Sequence, residues 1–386
     1  MSVEHSVEHT VGRRDVVRCV LLFALLGLFQ ATFGPLIPIV RDDNGLAAAT
    51  AGLLVSGFYA GSLASIAAGG ALPERWARRY LVLVPGALLV AGGAGLAVRG
   101  PWPLPLVATV VAGLGFGGLV LVVNTAMASQ PGRRGVTLAN LVNGAFPLGA
   151  VAGPALVSAT RGVGYPFLFA VLVVAIVATL PHRGLGAVAR PPEEPRDGGR
   201  VSVVLLLFCG LLFCYAGLET GLGSWGTVHL EAHGYDPAAA SALTSLFWLG
   251  MALTRLLTPL LTRSAPAIIL GALSAAFVAL ALVALPGTAP FGYLLAGMLA
   301  GPVFPTALAW HAAGHPDPRR GNAAVIAAAM VGNVLLPAAI GFTMQATSDL
   351  LLPALVAVPV AACLTVALVL RWSIKDRQGR VSSGSA

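Results

Sequence analysis

Apolar runs of about twenty residues, separated by short polar breaks, recur along the whole chain. Twelve runs are long enough to cross a membrane, centred near Gly27, Ala60, Leu89, Gly117, Leu148, Val173, Phe213, Leu249, Leu273, Met298, Leu335 and Ala361. The breaks between them, such as "PERWARR", "RGPWPLP", "SQPGRRG" and "GHPDPRRG", carry Pro, Gly or charge, which end apolar helices. The pattern predicts an all-α integral membrane protein of twelve transmembrane helices.

The longest polar break, "HRGLGAVARPPEEPRDGGR" over 182–200, falls near the middle of the 386 residues and has the composition of a linker. The expected division is a tail over 1–15, a six-helix half over 16–181, the linker 182–200, a second six-helix half over 201–371 and a tail over 372–386. Internal similarity points the same way. "LLFALLGL" at Leu21 matches "LLFCYAGL" at Leu211, and "SGFYAGSLAS" at Ser56 matches "SLFWLGMALT" at Ser245. "GRRG" at Gly132 answers "PRRG" at Pro318, so the offsets run 190, 189 and 186 in order. A duplicated unit, giving two pseudo-symmetric bundles, explains three ordered matches better than chance does.

Composition confirms the membrane setting. The chain is 57% hydrophobic and 10% charged, whereas a water-facing domain carries about 25% charged residues. A net charge of +8 would suggest nucleic acid for a soluble protein, but the positions of the charges decide otherwise. With a cytoplasmic N-terminus, nineteen of the 23 Lys and Arg residues fall in inner segments and only Arg41, Arg99 and Arg161 in outer ones. That asymmetry places both termini and the linker in the cytoplasm of a multi-pass protein of the cytoplasmic membrane. Cys19, Cys209, Cys214 and Cys363 lack metal-ligand spacing and read as small core residues. The tail "SVEHSVEH" places His5 and His9 four apart, but a polar tail is expected to be disordered rather than metal-binding. No metal, cofactor or nucleotide is implied.

Over nearly its whole length the chain resembles the major facilitator superfamily. "GGALPERWARRYLVL" matches the family's loop between the second and third helices, with Gly70, Glu74, Arg75, Arg78 and Arg79 in the motif places and Ala77 where the family prefers Gly. The resemblance implies that this loop helps to hold one conformation closed on the cytoplasmic side. "GAVAGPAL" is similar to a fifth-helix element of the superfamily's exporters, and lacks the usual second glycine pair. There Gly149 and Gly153 permit close helix approach, and Pro154 would bend or hinge the helix. "YAGLETGLGSWG", "FWLGMALTRLL" and "GPVFPTALAW" resemble fucose-permease-like sugar transporters. Those carry acids in the first and fourth helices, where this chain has Gln30 and Asn124, and Thr109 stands where many proton-coupled relatives have Arg.

A carrier of this kind binds its solute near the bilayer midplane and rocks between two openings. Polar and aromatic residues in the spans are therefore the substrate-binding candidates: Gln30, Phe33, Asn124, Asn143, Tyr215, Trp248 and Asn333. Each amide can equally be an interhelical hydrogen bond, and each aromatic plain packing. Glu219 is the acid in an otherwise apolar run, with no basic residue near it in sequence. A carboxylate there costs about 2.5–3.5 kcal/mol on insertion scales and marks a functional site by default. Exposed alternately to two sides, it would bind and release a proton; the other reading is a permanently neutral acid in a hydrogen bond. Arg255 lies about 27 Å along the eighth span at 1.5 Å per residue, near the inner end, whereas Glu219 is expected towards the outer half. Arg255 is therefore read as structural and not as the partner of Glu219.

The function expected is secondary transport of a small organic solute, sugar-like or another metabolite, coupled to protons. Export of a drug or metabolite by proton antiport is the alternative, and a membrane receptor or membrane-embedded enzyme ranks lower. The partners expected are the solute, protons and the lipid bilayer; no nucleic acid is involved, no enzyme activity is expected, and the chain should act as a monomer.

Overall fold

In the hydrocarbon core there is no water to satisfy backbone groups, so a spanning chain must close its hydrogen bonds within helices. The computed structural model of the chain obeys this. It describes residues 11–71, 82–130, 133–181, 202–258, 264–314 and 318–383, and among these there is no strand. In order the helices are α1 Arg13–Ala31, α2 Phe33–Asn44, α3 Ala48–Ala71, α4 Leu83–Ala97, α5 Leu104–Ala128, α6 Arg133–Ala159 and α7 Tyr165–Thr179. The second series is α8 Val203–Ala232, α9 Pro237–Leu257, α10 Ala265–Val283, α11 Ala289–Ala300, α12 Val303–Gly314, α13 Pro318–Ala346 and α14 Leu352–Ser383.

Helices α1 and α2 form one apolar span bent by 41°. Pro35 and Pro38 follow the break and remove backbone donors there. Helices α11 and α12 together make the tenth expected span, joined at Gly301–Pro302. Every one of the twelve expected positions holds a helix. The third and sixth, α4 and α7, are short at 15 residues each. Polar residues set several ends. Asp236 accepts from the Ala238 and Ala239 amides to start α9, with Pro237 in the first turn. Gly45, at φ +62°, ends α2 in the left-handed region.

Packing repeats between the two series. In the first, α3 and α5 approach so closely that a Cβ at Gly61 would strike the Val110 carbonyl and one at Gly113 the Phe58 carbonyl. In the second, α9 and α11 do the same: Gly250 faces the Leu294 carbonyl and Gly297 the Phe247 carbonyl. Likewise Gly149 of α6 meets the Ala24 carbonyl of α1, and Gly332 of α13 meets the Phe213 carbonyl of α8. The internal sequence repeat is thus also a repeat of backbone contacts. Outward-facing apolar side chains such as Phe167, Val174, Phe291 and Val358 are 53–69% exposed, as suits contact with lipid.

The halves meet along α3 with α13, α6 with α9, and α2 with α8. Between the centre and the face expected outside, Gly34 lies against the backbone of Gly223 and Ser224. Ser158 donates to the Ala238 carbonyl at 2.8 Å and Ser241 to the Pro154 carbonyl at 3.1 Å. The Trp225 ring fills the space beside Gly52 of α3 and Gly341 of α13, and its Nε1 donates to the Pro337 carbonyl at 2.9 Å.

Candidate functional site

The expected separation of Glu219 and Arg255 is wrong. Arg255 Nη2 lies 3.1 Å from Glu219 Oε1, and Arg255 Nε also donates to the Gly301 carbonyl at 3.4 Å. The reason is the length of α8. It runs 30 residues, to Ala232, so Glu219 sits near its middle and not towards the outer half. From the adjoining ends of α8 and α9, at Ala232 and Pro237, the two residues lie about 20 and 27 Å along their helices at 1.5 Å per residue. The flexible stem of Arg255 spans that difference. Its Nε bond also ties it to Gly301, at the α11–α12 junction.

Several side chains converge on the pair. The Tyr215 hydroxyl, one turn from Glu219, donates to the Ala300 carbonyl at 3.2 Å and lies in electrostatic range of both charges. From the other half, Gln30 Nε2 of α1 donates to the Tyr59 hydroxyl of α3 at 2.8 Å. Tyr59 is in electrostatic range of both Glu219 and Arg255. The Glu219 and Arg255 side chains are 19% and 23% exposed. Two orphaned polar atoms also lie in this region. Trp248, 3% exposed and packed on Gly223, has an Nε1 with no hydrogen-bond partner. Asn333 Oδ1, on α13 next to the Gly332 contact with α8, has none either.

The other candidates lie apart from it. Asn143 donates to Asn124 Oδ1 at 2.6 Å, an α6–α5 bond. Asn143 lies seven residues before Ala150, the neighbour of Gly27, so it sits about 10 Å nearer the expected inner face. Phe33 is 2% exposed and packs on Phe29 and Phe58, with ring centroids 5.7 and 4.8 Å away. Gly149 and Gly153 both face the α1 backbone, and α6 runs as one helix through Pro147 and Pro154. Gly70 lies in the last turn of α3. Glu74, Arg75, Arg78 and Arg79, like His5, His9 and the linker 182–200, lie outside the described residues. All four cysteines are free, with Cys19 and Cys363 buried.

Sequence reasoning missed Tyr59, yet a signal was present. In the internal repeat Tyr59 is the counterpart of Trp248, which was a candidate. It also missed a charged cluster at the expected outer face. Glu231 of α8 lies 3.7 Å from Arg41 of α2 and 3.6 Å from Arg161, which follows α6. No sequence pattern announces that cluster, because its members are 70 to 190 residues apart.

The family pattern of the Major Facilitator Superfamily matches residues 19–341. The chain belongs to this superfamily. An uncharacterized MFS-type transporter of Yersinia pestis is 26% identical over 345 residues, 85% of this chain and 88% of the relative. A nucleoside transporter structure superposes with TM-score 0.68 at 15% identity, covering 94% of this chain and 98% of that one. A D-xylose-proton symporter gives TM-score 0.72 at 15% identity, covering 92% and 96%. This member of the superfamily is thus a multi-pass membrane protein with the major facilitator fold.

Proposed function

We propose that the protein is a secondary active transporter that carries a small polar organic solute across the cytoplasmic membrane by alternating access, coupled to protons through Glu219. The observation that carries the reading is the Glu219–Arg255 pair, at mid-depth, partly exposed, and in electrostatic range of Tyr59 of the opposite half, whose hydroxyl accepts from Gln30. Intramembrane charges are retained for pathways and coupling. A permanently neutral Glu219 fits poorly beside a guanidinium that cannot lose its proton. Only Glu219 can switch the pair off: with a proton it releases Arg255, and without one it holds it. The halves move as units around this point, with both termini and the linker on the cytoplasmic side. The nucleoside and D-xylose carriers of like fold support a small polar cargo.

The test compares metabolites inside and outside cells that make the wild type, Glu219→Gln, or neither. Wild-type cells should redistribute a defined set of compounds against their gradients, uptake and export being read from the direction. Cells making Glu219→Gln at equal level should equilibrate those compounds without concentrating them. Undiminished, pH-dependent accumulation by that variant would sink the coupling role.

A further inference from the structure

We infer that the cargo carries a negative charge and crosses together with one proton, so that each transport event is electroneutral. This rests on the carrier reading above and adds the chemical class of its solute. The reason lies in an asymmetry of the pair. Arg255 keeps its charge under all physiological conditions, whereas Glu219 can be neutralised. The site can therefore swing between zero and +1, and never to −1.

The surroundings leave that positive charge for the cargo to meet. Arg255 has two ionisable neighbours, Glu219 and Tyr215, both on α8. Among the described residues, Tyr59 of α3 is a further ionisable group in electrostatic range of the pair. The remaining described groups that bond to Tyr59, Tyr215 or Arg255 there are uncharged: Gln30 of α1 and the carbonyls of Ala300 and Gly301. Once Glu219 is protonated, Arg255 has lost its counter-charge in a place where an uncompensated charge is costly. A carboxylate or another oxyanion restores neutrality, which a sugar alcohol or a cation does not.

The geometry of the pair suits exchange. Glu219 holds Arg255 through a single contact, Oε1 to Nη2 at 3.1 Å, and the Nε bond to Gly301 is long at 3.4 Å. An incoming carboxylate can take the guanidinium by two parallel bonds, the stronger arrangement. Trp248, with its unpartnered buried Nε1, is seven residues before Arg255. It shares that face of α9, about 10 Å away along the axis. A cargo with an acid at one end and an acceptor oxygen at the other, of sugar-acid size, matches both donors.

The experiment uses membrane vesicles from cells with and without the protein, loaded with a whole-cell metabolite extract. A pH gradient and a valinomycin-set potential are imposed separately. The expected result is that compounds anionic at pH 7 move, driven by the pH gradient and indifferent to the potential. Movement of neutral or cationic compounds alone, or dependence on the potential, overturns the inference and leaves the carrier reading standing. If no compound moves in a protein-dependent way, the carrier reading falls and takes this one with it. In exchange at equal pH on both sides, wild-type rates should fall about tenfold per pH unit once Glu219 is ionised. Glu219→Gln should exchange the same anions at a rate that does not change with pH. Arg255→Lys should keep measurable exchange and Arg255→Gln lose it. Should Arg255→Gln fail to reach the membrane, the pH profile of Glu219→Gln decides alone: a profile as steep as the wild type's overturns the proposal.

Discussion

Glu219 and Arg255 stabilise the fold only as a pair. Taking Arg255 away leaves a carboxylate at mid-depth without its counter-charge. With both side chains about a fifth exposed, the cost should lie near the low end for a broken buried pair, about 3 kcal/mol. Thermal unfolding of purified Arg255→Gln should show this loss. The double variant Glu219→Gln/Arg255→Gln should recover most of it, because the stranded charge is gone. A double variant no more stable than Arg255→Gln would mean that Arg255 acts through Gly301 alone. Glu219 could be recognised from sequence as a charge in an apolar run. Its partner could not, since 36 residues and a turn separate them.

At the scale of helices, glycine placement decides which pairs approach. The contacts of Gly149 with Ala24 and Gly332 with Phe213 are between backbones, which cannot swing aside as a side chain can. Gly149→Ala and Gly332→Ala should each lower stability by about 3 kcal/mol, the upper part of the range for overpacking. Gly210→Ala, with nothing within 4 Å of its Cβ, should be neutral or slightly stabilising. Melting temperatures of the three purified variants check this, and equal losses at all three would refute it. The pairing of Gly149 with α1 also supplies a packing use for "GAVAGPAL" that is independent of transport direction. Helix existence was legible from hydropathy, while the exact extent of α8 was not. Its last turns, "GTVHLEA", contain polar residues that reach past the apolar run, and those turns move Glu219 to mid-depth.

Across the whole molecule, Glu231 joins α8 to Arg41 and Arg161 of the other half. Both contacts exceed 3.5 Å and their side chains are 16–29% exposed, so together they should favour the closed outer face by about 1 kcal/mol. Glu231→Gln should then raise the population opened at that face roughly fivefold. Spin labels at Val163 and Ala239 would report it as a growing long-distance component; an unchanged distance distribution would assign the closure to Trp225 and the serine bonds instead. The proposed orientation, with both termini in the cytoplasm, rests on charge asymmetry. Single cysteines at Asp42 and Glu194, in a cysteine-free background, should be labelled from opposite sides of the membrane. Labelling of both in intact cells by an impermeant reagent would reverse the assignment.

Hydropathy, charge asymmetry and an internal repeat near 190 residues determined the membrane class, the helix order and the doubled architecture. These are one-dimensional properties: each span must be apolar wherever it packs, and basic residues act on orientation through their position along the chain. Tertiary structure alone decided the chemistry of the centre. It lengthened α8, brought Arg255 to Glu219, set Gln30 and Tyr59 opposite them, and moved the Asn124–Asn143 bond towards the other end. Depth in a helix depends on where the helix starts and stops, and facing depends on which neighbour its small residues admit. Neither is written at the position of the charged residue itself.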